Sequence, residues 1–102
     1  MNSVSVLTLR VPADKAADVI GYYQRERILQ TSGAAAAQLL VDVKDPGTIV
    51  VLAWWTDPEA YTAWQQAPER DAFNRGITGI AGASIGGGSQ ELRVVQYVSG
   101  ND

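Results

Sequence analysis

The chain has no His and no Cys, so its chemistry rests on other groups. The absence of His excludes a Ser-His-Asp triad, an imidazole base, a His-ligated zinc and a proximal haem ligand. The absence of Cys excludes a thiol nucleophile, a thiolate metal site and a disulfide. What remains is Tyr, Trp, Arg, carboxylates and a shaped cavity. Tyr61 and Trp64 are three residues apart and share a helical face on which they could line a cavity. Tyr23 lies on the apolar stripe of an earlier helix, and Phe73 on that of a later one. At 100° per residue Arg27 falls at the centre of the stripe of Ala16, Ile20 and Tyr23. A charge there either reaches into a polar cavity and touches a substrate, or snorkels past the helix end toward Asp42 or Glu91. Asp57 and Glu59 already serve a helix start, which leaves little to suggest carboxylate catalysis with Glu69. The glycine-rich stretch 82–88 lacks the Lys-Ser/Thr and the helix of a phosphate loop, and reads as a flexible connection or a flap over a cavity mouth.

The elements that must position these residues follow from the apolar spacing. Residues 3–11 are β-rich and stop at Pro12. Helical spacing predicts a helix over 13–31, left through Gly33. Residues 35–43 alternate, and Asp45-Pro46-Gly47 predicts a turn in which Gly47 takes a positive φ. Thr48 to Trp55 is apolar on both faces and reads as a central strand. Asp57-Pro58-Glu59 starts a helix, and Pro68 ends it and begins another, short one. Gly76, Gly79, Gly82 and Gly86 to Gly88 predict a flexible stretch before a last strand at 92–98 and a loose tail at 99–102.

The order β-α-β-β-α-β with right-handed crossovers predicts an α+β, ferredoxin-like fold: a four-stranded antiparallel sheet with both helices on one face. At 102 residues this is one domain spanning 1–102. The other sheet face has no helix to cover it. A second copy of the chain packed on that open face makes a homodimer, with Trp54 in the interface. The net charge of −3, with Lys and Arg scattered, gives no basic field for nucleic acid or anionic lipid. The longest uncharged apolar run, 49–55, is too short to cross a bilayer, and no basic start precedes an apolar stretch. A cytoplasmic protein is the expectation.

The segment 51–73, VLAWWTDPEAYTAWQQAPERDAF, resembles the antibiotic biosynthesis monooxygenase family: a strand ending in Trp, a polar cap, an aromatic helix and a proline break. The pattern extends over roughly 4–98. The resemblance implies a dimeric α+β barrel with an apolar cavity between sheet and helices. It also implies one of several activities: cofactor-free oxygenation of aromatic polyketide anthrones to quinones, quinol oxidation, or haem degradation. The anthrone oxygenases use an Asn, a Trp, a Tyr and an Arg. The Trp falls on Trp55, the Tyr on Tyr61, and the Arg close to Arg75 after a one-residue gap near Pro68; the Asn position is Val51. In such a site Arg75 would hold a substrate oxyanion, Tyr61 would donate or relay a proton, and Trp55 would wall the cavity or bond the substrate through its indole N–H. Val51, Tyr23, Trp64, Phe73 and Arg27 would contact the substrate. The axial His and the Asn of the haem-degrading members are missing, which sets haem aside.

Three readings follow. The first is a cofactor-independent monooxygenase that takes only molecular oxygen as co-substrate and oxidises an aromatic, polyketide-like or quinol-like molecule. The second is a non-catalytic ligand-binding or regulatory dimer of the same fold. The third is a polyketide cyclase or isomerase that uses no oxygen.

Overall fold

The computed structural model describes residues 3–82 and 86–100. Four strands, β1 (Ser3–Arg10), β2 (Ala36–Val41), β3 (Thr48–Trp55) and β4 (Gly86–Arg93), form one antiparallel sheet in the order β2-β3-β1-β4. Helices α1 (Ala16–Arg25), α2 (Ile28–Thr31), α3 (Pro58–Gln65) and α4 (Pro68–Ala81) supply the layer above it. This is the expected ferredoxin-like arrangement, with β1 and β3 in the centre.

The register decides which side chains face the helices. Ser3, Ser5, Leu7 and Leu9 of β1 stand opposite Trp55, Ala53, Val51 and Ile49 of β3. Ala37, Leu39 and Val41 of β2 continue the same rows. Leu9, Ile49, Val19, Tyr23, Ile28 and Ile77 make the main buried cluster, and Ala53, Trp55 and Tyr61 a second one beside it. Val6, Val50, Leu52 and Trp54 alternate onto the opposite face and belong to neither cluster.

Four local expectations are corrected. The helix 13–31 is broken: a single turn of 3-10 helix (Ala13–Lys15) precedes α1, and Arg27 at φ 53° separates α1 from α2. The break carries Arg27 to the surface and lets Ile28 into the core. Gly33 leaves α2 at φ 82°, as the spacing predicts. Gly47 is not in the left-handed region. Its hydrogen atom is needed instead for close approach, because a Cβ there would overlap the Val11 carbonyl, while Val11 N–H donates to Gly47 O at 2.9 Å.

The helix that begins at Pro68 is the longest of the four, and Gly76 and Gly79 lie inside it. Gly82 ends it at φ 73°. The last strand begins six residues earlier than the apolar residues 92–98 suggest. Gly86 to Gly88 pair with Arg10, Leu9 and Thr8, and the backbones come so close that a Cβ on Gly87 would overlap the Thr8 carbonyl. The strand ends at Arg93, opposite Ser3, and beyond it Val95 and Tyr97 stand 83% and 80% exposed. The flap expected at 82–88 falls partly on 83–85, outside the described residues.

Candidate functional site

A cavity of about 50 Å³ lies between the sheet and the helices. Its floor follows from the register. Ala37, Ala53 and Ser5 stand side by side across β2, β3 and β1, a row of small residues. Trp55 opposite Ser3 closes one side of this row, and Leu39, Val51 and Leu7 form the next row on the other. Three short side chains in line lower the floor, and the helices above cannot follow it down.

Trp55 is 1% exposed and donates its indole N–H to Ser5 Oγ at 3.0 Å. That donor is therefore occupied by the protein, and Trp55 acts as a fixed wall. Tyr61 packs on it at 5.2 Å between ring centroids, tilted by 42°. Tyr61 is placed there by α3, whose first turn is capped by Asp57 accepting from Ala60 N at 2.9 Å, with Pro58 at the first helical position. Trp64, one turn on, meets Phe73 of α4 at 6.4 Å.

From α1, Tyr23 enters the same space, 4% exposed. Burial pushes its phenol up to about 12, against which the nearby Arg70 guanidinium pulls it down. Neither the Tyr23 nor the Tyr61 hydroxyl hydrogen-bonds to a described residue, and no described buried side-chain polar atom is left without a partner. Both hydroxyls therefore open onto accessible space.

Trp55, Tyr61, Trp64, Tyr23, Val51 and Phe73 thus converge on one cavity, while Arg75 and Arg27 do not line it. Both arginines are exposed. Arg75 is two residues from Phe73 and two from Ile77, so the helical period turns it outward. The cation that lines the cavity is Arg70, accompanied by Asn74. Arg70, Phe73, Asn74 and Ile77 are spaced i, i+3, i+4 and i+7, one helical stripe. Stepping back along the helix from Phe73 and Ile77 would have found both polar residues. Ser5 had no such signal, since only the strand register brings it under Trp55.

The sequence matches the family pattern described as antibiotic biosynthesis monooxygenase over residues 3–76. The fold agrees with solved structures. One is a monooxygenase from Streptomyces coelicolor, ActVA-Orf6, in complex with nanaomycin D: 16% identity, TM-score 0.73, covering 96% of this chain and 91% of that one. A second, from Deinococcus radiodurans, described as a putative antibiotic biosynthesis monooxygenase, gives 15% identity and TM-score 0.74 over 95% and 96%. A third, from Caulobacter crescentus with the same description, gives 17% and 0.73 over 93% and 92%. No curated protein sequence matches significantly. The fold and its cavity define an α+β protein of ferredoxin-like class. The chain belongs to the antibiotic biosynthesis monooxygenase family.

Proposed function

We propose that this protein is a monooxygenase that oxidises an electron-rich aromatic molecule, of the hydroxyanthrone or quinol type, using oxygen alone. The observation that carries this reading is the apolar, aromatic-walled cavity with one cation, Arg70, at its edge and two open phenol hydroxyls, Tyr23 and Tyr61. Oxygen reacts slowly with closed-shell molecules until they become electron-rich by losing a proton. A dry pocket with a positive group at the developing oxyanion favours that loss. For an anthrone the sum is a ring CH₂ plus O₂ giving a ring C=O plus H₂O. The four electrons come from the substrate, so no other reductant is needed. Arg70 takes the role of holding the oxyanion, and Tyr61 or Tyr23 that of moving the proton. The family membership and the nanaomycin D bound by the Streptomyces relative support the choice of substrate class.

One observation favours the second reading, a ligand-binding dimer without turnover. Val51 makes the cavity wall apolar where the family resemblance has an Asn. Under either reading the cavity must widen, since it holds only a few waters, whereas a fused-ring ligand needs on the order of 300 Å³. Loading therefore requires the helices to move outward. The homodimer belongs to either reading. The opposite sheet face with Val6, Val50, Leu52 and Trp54, together with exposed Val95 and Tyr97, supports it.

The test is oxygen uptake with a panel of hydroxyanthrones and hydroquinones in the presence of chelator. Uptake above the uncatalysed rate, lowered about tenfold or more by Arg70→Ala and unaltered by Arg75→Ala, is the expected result. No uptake with any compound overturns the monooxygenase reading and leaves the ligand-binding one.

A further inference from the structure

The cavity has two shoulders of opposite character. On one side Trp64 and Ser32 separate it from a surface groove lined by Gly33, Ala60, Ala63, Ala67 and the acidic Glu69. On the other side Leu7, Arg70 and Asn74 line both the cavity and an open cleft between α4 and β4. Thr78 and Ser89 add hydroxyls to that cleft, and Gly86 to Gly88 supply a floor without side chains. Gly87, opposite Leu9 as Ser89 is opposite Leu7, stands on the helix-facing side of β4, while Gly86 and Gly88, opposite Arg10 and Thr8, belong to the other side.

Arg70 is half-buried between the two spaces, and its guanidinium makes no ion pair or hydrogen bond with any described residue. A partly desolvated cation beside hydroxyl and amide groups is stabilised by an anion that reaches it. Glu69 repels an anion from the opposite shoulder. Resting on the reading of the cavity as a ligand site, we propose that the Arg70–Asn74 end is a subsite for a carboxylate carried by the aromatic ligand. The ring system enters the apolar cavity and the carboxylate remains in the cleft on Arg70. The planar guanidinium fork suits a carboxylate held by two parallel hydrogen bonds, which a Lys would not reproduce, and its other N–H groups remain for an oxyanion in the cavity.

The test compares binding of anthraquinone-2-carboxylate and anthraquinone-2-carboxamide, ligands of nearly equal shape, followed by quenching of tryptophan fluorescence. The 102-residue chain is expected to prefer the carboxylate about tenfold or more, since charge-assisted hydrogen bonds are roughly twice as strong as neutral ones. Arg70→Gln is expected to bring the ratio to about one, Arg70→Lys to retain part of it, and Arg75→Gln, the same charge change on the outward face, to leave it intact. Equal binding of the two ligands by the parent, a preference that survives Arg70→Gln, or binding of neither ligand overturns the proposal. Oxygen uptake with a neutral hydroxyanthrone is unaffected by that result, so the subsite and the monooxygenase reading fail separately.

Discussion

The bond from Trp55 to Ser5 ties two central strands together on the helix-facing side of the sheet. Removing the acceptor strands a buried indole N–H, which costs about 1–3 kcal/mol. Ser5→Ala is therefore expected to lower the urea midpoint, whereas Ser5→Thr, which keeps a hydroxyl, restores most of it. Tyr23 has its own signature. Burial raises its phenol from 10.0 to about 12. As pH rises through 10 the unfolded chain loses this proton first, so stability is intact below pH 10 and falls between pH 10 and 12. The loss by the upper value is about 2 kcal/mol. Urea titrations should show this decline in the parent, with a shallower one in Tyr23→Phe; parallel declines would contradict it. Of the residues that line the cavity, the aromatic ones and Val51 were legible in the sequence, because strand alternation and helical spacing put them on inward faces. Arg70 was legible too, but alignment to a family arginine pointed to Arg75. The period of α4 outweighs that alignment, since a 200° rotation carries a side chain to the opposite side of the helix.

At the scale of elements, α1 and α4 cross where Tyr22 lies over Gly76. A Cβ at Gly76 would overlap the Tyr22 phenol, while at Gly79, one turn on, it would meet open space. Gly→Ala inside a helix ordinarily stabilises by roughly 0.5–1 kcal/mol. Gly79→Ala is expected to raise the melting temperature accordingly. Gly76→Ala is expected to lower it, because overpacking costs about 1–3 kcal/mol, and Tyr22→Ala in the same chain should remove most of that penalty. Equal effects at the two glycines would show that the crossing tolerates a methyl group. The break at Arg27 and the early start of β4 belong to this scale as well. Neither has a local signal: Arg27 is not a residue that favours a positive φ, and three glycines disfavour a strand. Tertiary packing decides both, by drawing Ile28 into the core and by laying the glycine backbone against β1.

At the scale of the whole molecule, the buried clusters lie on one face of the sheet, and the half-buried Val6, Val50, Leu52 and Trp54 of the other face belong to neither. Trp54, Leu52, Val50 and Val6 on that other face are the surface through which we propose a second copy packs. Trp54→Glu is expected to convert a dimer to a monomer in sedimentation velocity, at a loading concentration where the parent remains dimeric; a parent that sediments as a monomer would refute the dimer. No described helix is long and apolar enough to cross a membrane. The sequence by itself determined the order of strands and helices, the central place of β3, the caps at Asp57, Pro58 and Gly33, and the inward aromatic residues. These follow from periodicity and local chemistry, which act over a few residues. Only the tertiary structure decided that Ala37, Ala53 and Ser5 form one low row, that Trp55 donates to Ser5, and that Arg70 stands beside Tyr23 between cavity and cleft. Those facts depend on register and helix crossing, which bring together residues tens of positions apart through packing that no single segment encodes.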